Sequence, residues 1–213
     1  MNEKSTETKL EFSVKDIGHI SNHFLDRNTL IEKSGVSNTV IEKWINHGEF
    51  PDPTYKTPDG KEWFPPYLVI LIRRSMENSS NPKDEFLKDA VKVLSKPGYV
   101  YRFGKVESTG MNPEDAEKMW KDFRSGLYGA CLRKPDPDSI LQKGDLIRQI
   151  EELLSRPEPG NTDWCSALRK SVENLDTIEA QFTDYDRSRF GGSVSRDIFI
   201  TNVKNKYMEI FQD

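Results

Sequence analysis

The ten residues from Arg187 to Arg196 have the composition most suited to binding an anion. Three arginines flank a Gly-Gly-Ser turn that leads directly into a predicted helix. Backbone N–H groups at the start of a helix, together with guanidinium groups, can hold a phosphate or a carboxylate. The predicted anion-binding residues are Arg187, Arg189, Gly192, Ser193 and Arg196.

A structural role is the commoner one for such residues. Ser193 or Ser195 can cap the helix that follows, because a serine hydroxyl accepts hydrogen bonds from the first N–H groups of a helix. The arginines can pair with neighbouring acids, and the candidates are Asp184, Asp186 and Asp197. Exposed ion pairs of this kind are frequent in proteins and need no ligand.

The sequence gives weaker indications of metal binding and of nucleophilic catalysis than of anion binding. His19 and His23 are spaced so that both could reach one metal ion on a helix, but no third ligand is specified nearby. Cys131 is expected to be a buried small residue, and every histidine that could act as its base lies at or before His47. The sequence contains no nucleophile elbow, phosphate-binding loop or dinucleotide fingerprint. We therefore expect no catalytic residue, metal or cofactor, and we lean towards a protein that is not an enzyme.

The amino-acid composition further limits the class of protein to which this chain can belong. The 213 residues are 35% hydrophobic and 31% charged, and the net charge is −4. This charge argues against nonspecific binding of nucleic acid by the whole surface. No apolar run approaches the roughly 20 residues needed to cross a bilayer, so no membrane association is expected. Two distant cysteines and a polar N-terminus without a secretory signal favour a reduced, cytoplasmic protein.

The elements of the first third are predicted from local signals. A first helix is expected from Val14 to Leu25. A short helix over residues 29–34 ends at Gly35, and Ser37 is the expected N-cap of a second helix over residues 38–47. Asp-Gly at positions 59–60 predicts a hairpin between strands at 54–56 and 62–64, and a further helix follows over residues 67–76.

The remainder is predicted to be helical. Helices are expected to start at Asn81-Pro82, Asn112-Pro113 and Asp136-Pro137, each of which combines an N-cap residue with proline at the first helical position. A regular apolar stripe runs from Ala116 to Leu127. A short extended piece is expected at residues 99–103, and a polar loop through Gly191-Gly192 precedes the last helix. The fold class is thus mainly α, with a flexible tail at 1–12, a winged helix-turn-helix domain at 13–78 and an all-helical bundle at 79–213.

The first third resembles the winged helix-turn-helix module of the MerR and excisionase families. The segments that carry the resemblance are 30–37 (LIEKSGVS), 44–51 (WINHGEFP) and 59–64 (DGKEWF). In those families the second helix enters the major groove of DNA and the wing touches the backbone. The resemblance implies that Asn38, Thr39, Glu42 and Lys43 face DNA, with Lys56 and Lys61 on the wing.

The charges of this region depart from that pattern. Seven basic residues between positions 26 and 74 are matched by seven acidic ones, and Lys43 is the one cation of the second helix, beside Glu42. Because DNA affinity comes largely from phosphate neutralisation, a monomer is expected to bind DNA weakly, although a homodimer would double the contacts. The alternative is that the module binds a partner protein, since fold alone does not fix function.

The whole chain also resembles a bacterial family of unknown function associated with natural-product biosynthesis clusters. Trp120, Phe123 and the segments 126–133 (GLYGACLR) and 184–196 (DYDRSRFGGSVSR) carry this resemblance. Two hypotheses follow. The first is a non-enzymatic, DNA-linked regulator whose helical domain dimerises or senses a ligand. The second is an accessory protein or enzyme of natural-product biosynthesis, with the arginine-rich segment as its anion site.

Overall fold

The protein is mainly helical and carries one small antiparallel sheet, as the sequence predicts. A computed structural model describes residues 11–95 and 113–212. In chain order the elements are α1 (Val14–His23), β1 (Leu25–Asp26), α2 (Arg27–Ser34), α3 (Asn38–Asn46), β2 (Tyr55–Lys56), β3 (Glu62–Phe64), α4 (Tyr67–Glu77), α5 (Pro82–Leu94), α6 (Pro113–Arg124), α7 (Leu127–Cys131), α8 (Pro137–Ser155), α9 (Thr162–Ile178), α10 (Asp184–Arg189), a π-helix (Asp197–Thr201), α11 (Asn202–Lys206) and α12 (Met208–Phe211). Each helix in the described ranges is too short or too polar to span a bilayer.

Local caps explain the N-terminal helices. Ser13 and Asp16 form a reciprocal capping box at the start of α1. Gly35 ends α2 in the left-handed conformation, with φ of +73°, and Ser37 caps α3, as predicted. Helix α2 starts two residues earlier than predicted, because the Asp26 carboxylate accepts a hydrogen bond from the Thr29 N–H at 2.8 Å.

The sheet has the strand order β1-β3-β2. The predicted hairpin is present, and Gly60 in its turn has a φ of +82°. Strand β1 was not predicted. It pairs Leu25 with Phe64 and Asp26 with Trp63, and its two residues are too few to show the alternation by which a strand is recognised.

The largest hydrophobic cluster crosses the predicted domain boundary at residue 78. It continues from α2, α3 and α4 through α5, α6 and α7 to the first turns of α8. Phe86 of α5 is fully buried in it and stacks on Phe123 of α6, with ring centroids 4.6 Å apart. The predicted linker at residues 78–82 is therefore a turn between two packed helices, in which Asn81 caps α5.

Two further clusters complete the interior. One joins the C-terminal half of α8 to α9, the π-helix and α11, and Ile150, Leu168 and Val172 are fully buried within it. The other is smaller and lies between α1, the sheet and α7, where Ile20, Tyr55 and Ala130 meet.

The second half differs from the prediction at three places. The apolar stripe from Ala116 to Leu127 is interrupted by Gly126, whose φ of +75° separates α6 from α7. The predicted polar loop through Gly191-Gly192 contains α10 in the part that precedes these glycines. The predicted final helix is divided into the π-helix, α11 and α12. The predicted extended piece at 99–103 and residues 1–10 of the predicted tail lie outside the described residues.

The approach of α7 to the hairpin leaves no room for a side chain at Gly129. A Cβ built there would lie 2.0 Å from Thr54 Oγ1. We expect Gly129→Ala to lower the free energy of unfolding in urea by about 1–3 kcal/mol, as overpacking does, although alanine is favoured over glycine in helices by about 1 kcal/mol.

The matched rescue is Thr54→Ala, which removes the hydroxyl and methyl groups that the new Cβ would meet. We expect the double variant to recover most of the stability that Gly129→Ala loses. A Gly129→Ala variant that is more stable than the parent protein, by the roughly 1 kcal/mol that alanine gains in a helix, would show that Gly129 and Thr54 are not in close contact.

Candidate functional site

A cavity of about 400 Å³ lies between α7, α8 and the segment that surrounds α10. Its wall is predominantly apolar. The lining residues are Asp122, Ser125, Leu127, Tyr128, Cys131, Lys143, Phe182, Phe190, Ser193, Val194 and Ser195. Leu127 and Phe190 are 40% and 37% exposed, so the cavity opens to solvent beside them.

Helix caps and turns place the cavity walls. Asp136 caps α8 by accepting a hydrogen bond from the Ser139 N–H at 2.8 Å, which sets the start of the helix that carries Lys143. Helix α10 starts at a capping box between Thr183 and Asp186. The chain then reverses after α10, and the rings of Phe182 and Phe190 approach edge to face with centroids 6.1 Å apart.

Lys143, one of the lining residues, belongs to a buried ion pair. Lys143 Nζ lies 2.8 Å from Glu179 Oε1, and the two side chains are 8% and 0% exposed. Ser195 Oγ donates to the same carboxylate oxygen at 2.5 Å. Burial by itself would lower the pKa of Lys143, but the Glu179 carboxylate beside it raises that pKa above its ordinary value. Lys143 is therefore an ammonium group and a hydrogen-bond donor, not a neutral amine nucleophile.

Cys131 contributes an uncharged thiol to the cavity. Burial raises the pKa of this thiol above its ordinary value, and its Sγ donates to the Tyr128 carbonyl at 3.6 Å. Because the thiolate is the nucleophilic form of cysteine, the surroundings of Cys131 favour a binding role over covalent catalysis.

Glu179 is fixed through its main chain as well as its side chain. It forms an isolated antiparallel bridge with Leu132, and the Ala180 N–H donates to the Cys131 carbonyl at 3.1 Å. The end of α7 and the chain after α9 are thereby held side by side, which brings the buried Glu179 close to two lining residues, Cys131 and Lys143.

The predicted anion-binding arginines are all engaged by acceptors of the protein itself. Arg187 makes two hydrogen bonds to Asp197, at 2.9 and 2.8 Å, and this contact lowers the pKa of that carboxyl. Arg189 donates to the Thr54 carbonyl at 2.8 Å. Arg196 pairs with Asp176, which also accepts from Lys204.

The other predicted anion-site residues have different surroundings. Ser193 lines the cavity, and Gly192 is an exposed turn residue with φ of +125°. Ser195 donates to Glu179, as described above. Asp197 is the first residue of the π-helix, and its carboxylate accepts a hydrogen bond from the Val194 N–H at 3.4 Å.

The predicted DNA-facing residues lie at the surface of the N-terminal region. Asn38, Thr39 and Lys43 are exposed on α3. Lys56 pairs with Glu62 at 3.1 Å and Lys61 with Asp59 at 3.0 Å, while Glu42 pairs with Arg27. Within residues 11–95 and 113–212, Lys43 has no ion pair shorter than 4 Å, so it is the cation of this set most available to a phosphate.

His19 and His23 do not form part of a metal site in the part of the chain that the structure describes. Their rings stack with centroids 4.3 Å apart. Three or more His, Cys, Asp or Glu side chains do not converge anywhere in residues 11–95 and 113–212.

The cavity itself was missed at the sequence level, although one signal was present. Lys143 lies three residues before Leu146 and seven before Ile150, which places a lysine on the buried stripe of α8. A charged residue on such a stripe indicates a buried partner or a binding site. Glu179 follows the last turn of α9 and carries no comparable signal.

Comparison with known proteins assigns the region that contains the cavity to a family. The sequence matches the Family of unknown function (DUF6058) over residues 83–208. The chain belongs to this family. Every residue that lines the cavity falls within the DUF6058 region, whereas α1 to α4 precede it. Searches of curated proteins and of solved structures gave no match.

The buried pair in the DUF6058 region gives a clear stability test. Lys143→Met removes the cation and leaves the Glu179 carboxylate buried, so we expect it to lower the free energy of unfolding by about 3–5 kcal/mol. The double variant Lys143→Met/Glu179→Gln removes both charges and should recover a large part of that loss, measured by urea denaturation.

The control is Lys134→Met. Lys134 pairs with Asp136 at 2.6 Å but is 60% exposed, and exposed pairs contribute about 1 kcal/mol or less. Similar losses for Lys143→Met and Lys134→Met would contradict the burial of the Lys143–Glu179 pair.

Proposed function

We propose that this protein is a non-enzymatic binding protein whose DUF6058 region holds a small, mainly apolar molecule in the cavity. The observation that carries the proposal is an apolar wall that ends in a buried Lys143–Glu179 pair. Small-molecule sites in proteins combine apolar walls of this kind with a few placed polar groups, in volumes of about 300–1,000 Å³.

The lining defines the class of ligand. Tyr128, Phe182 and Phe190 offer aromatic surface, which suits a flat ring system. Because Glu179 already neutralises Lys143, a charged ligand would enter without a new counter-ion at this end. The favoured ligand is therefore uncharged, with one carbonyl or hydroxyl oxygen that accepts a hydrogen bond from Lys143.

The N-terminal region is proposed to be a winged helix-turn-helix module. The order of α2, α3, hairpin and α4 supports this assignment, and so does β1, which adds a third strand to the hairpin. Residues 11–78 would then form the part that contacts a partner, and the cavity the part that senses a ligand. A reduced compartment such as the cytoplasm fits the free thiols of Cys131 and Cys165.

DNA is the second candidate partner. Exposed Asn38, Thr39 and Lys43 on α3 favour it, but the ion pairs of Lys56 and Lys61 leave little positive charge for phosphate. A partner protein accounts for the same surface without that requirement. An accessory role in natural-product biosynthesis uses the same cavity, with a biosynthetic intermediate or product as its ligand.

The ligand proposal is tested with Nile red, an uncharged aromatic dye with a carbonyl group. We expect the dye to bind with increased fluorescence, and Ser193→Trp to weaken binding at least about tenfold, or about 1.4 kcal/mol, because the indole ring occupies part of the cavity. Fluorescence titration of the full chain measures the affinity, and circular dichroism checks folding.

The matched control is Ser166→Trp, which adds the same ring to an exposed serine beside a separate, more polar groove next to α12. It should leave the affinity unchanged. Equal affinities of the parent protein and folded Ser193→Trp, or an equal loss in Ser166→Trp, would place the dye outside the proposed cavity.

The DNA candidate is tested with host genomic fragments titrated against salt. If α3 enters the groove, a subset of fragments should be retained at low salt and released as salt rises. Lys43→Glu with Lys61→Glu should abolish retention, whereas Lys92→Glu, an exposed lysine of α5, should not. Absence of retention by the parent protein at low salt would exclude DNA and leave a protein partner.

A further inference from the structure

Two elements that form walls of the cavity, α7 and the segment around α10, also pack against the chain that enters the hairpin. On one face, Leu127, Tyr128 and Cys131 of α7 line the cavity. On the other, the start and middle of α7 lie against the chain that enters β2, where Gly126 meets Pro53 and Gly129 meets Thr54. Helix α7 is therefore a single-layer partition between the ligand site and the hairpin.

Helix α7 and the chain at Pro53 and Thr54 are in close contact, with no space for added side-chain atoms between them. A Cβ at Gly126 would lie 2.8 Å from the Pro53 carbonyl oxygen, and one at Gly129 2.0 Å from Thr54 Oγ1. Because closely packed interiors transmit displacement instead of absorbing it, an outward shift of α7 has to move the chain at Thr54.

Helix α10 makes a second connection to the same strand. Phe182 and Phe190, which stand on either side of α10, line the cavity. The helix between them accepts a hydrogen bond from Tyr55 Oη to Asp186 Oδ2 at 3.0 Å, within the buried interior. Arg189 of α10 donates to the Thr54 carbonyl at 2.8 Å. Both walls of the cavity thus contact residues 53–55, where the chain enters β2.

Two polar atoms lie buried at the contact between residues 53–55 and these walls. Among the residues that the structure describes, Thr54 Oγ1 and Asp186 Oδ1 are buried without a hydrogen-bond partner. An unpaired buried polar atom costs free energy, so a displacement that gives either atom a partner regains part of the free energy that the displacement costs. A shift of the hairpin driven by a ligand is therefore opposed less than it would be at a fully hydrogen-bonded contact.

We propose that a ligand in the cavity regulates the N-terminal module by shifting the β2–β3 hairpin, with α7 and α10 as the transmitting elements. This inference rests on the proposed ligand site. Because coupling between two sites is reciprocal, a partner that binds the hairpin side of the module also changes the affinity of the cavity for its ligand.

Amide hydrogen exchange of the full chain, with and without saturating Nile red, tests the proposal. The reporters are the Thr54 N–H, which donates to the Trp63 carbonyl at 2.9 Å, and the Thr57 N–H, which donates to the Lys61 carbonyl at 3.0 Å. We expect the dye to change their exchange rates by about fivefold or more, the lower end of typical coupling, while the amides of α5 stay unchanged.

The connection through α10 is tested with the double variant Tyr55→Phe/Arg189→Met. It removes the hydroxyl that reaches Asp186 and the guanidinium group that reaches Thr54, and it alters no cavity-lining residue. We expect the dye affinity to stay within about twofold of that of the parent protein and the hairpin response to fall.

The outcomes separate the two proposals. Dye binding with unchanged hairpin exchange overturns the coupling and leaves the ligand site intact. A hairpin response of full size in the double variant also overturns the coupling through α10. Failure of the folded parent protein to bind the dye removes the proposed ligand site, and the regulation with it.

Discussion

The carboxylate of Asp186 holds the hairpin, α10 and the cavity wall in one arrangement. It is fully buried and accepts hydrogen bonds at Oδ2 from Thr183 N, Thr183 Oγ1 and Tyr55 Oη, at 2.9, 2.7 and 3.0 Å. A buried carboxylate without such donors would be strongly unfavourable, so the position of the hairpin and the start of α10 are fixed together. Phe182 and Phe190 flank the same helix and line the cavity, whereas Asp186 and Tyr55 do not, so the contact that joins the two parts of the chain lies next to the site proposed for a ligand.

A second carboxylate acts in the same way. Asp16 caps α1 through Ser13 and also accepts from the Asp184 N–H at 3.2 Å, so one side chain serves the starts of two helices. Burial opposes its ionisation, but the hydrogen bonds from Ser13 and from α10 keep the pKa of Asp16 below its ordinary value. The DYDRSRF segment, which lies within the DUF6058 region, therefore connects parts of the chain that are distant in sequence.

Features that depend on residues close together in the sequence could be predicted, whereas contacts between residues far apart in the sequence could not. Gly35, Ser37 and Asp59-Gly60 act within a few residues, and the turns and caps predicted from them are present. Helix α10 was missed because it has six residues and no apolar stripe, and its contacts with Asp16 and Tyr55 bridge residues far apart in sequence. The Lys143–Glu179 pair was missed for the same reason. Of the arginines in the predicted anion site, Arg187 pairs with Asp197, a partner that the sequence also offered, whereas Arg189 and Arg196 meet Thr54 and Asp176, which only the folded chain brings near.

The proposed ligand site lies in the DUF6058 region, between α7, α8 and α10. The most direct test of this proposal is anomalous diffraction from crystals soaked in 4-iodoacetophenone, a small aromatic ketone whose iodine atom marks its position. We expect an iodine peak inside the cavity lined by Leu127 and Phe190, with the carbonyl oxygen directed towards Lys143 Nζ. Iodine bound only elsewhere on the protein, with this cavity empty at a saturating concentration, would contradict it.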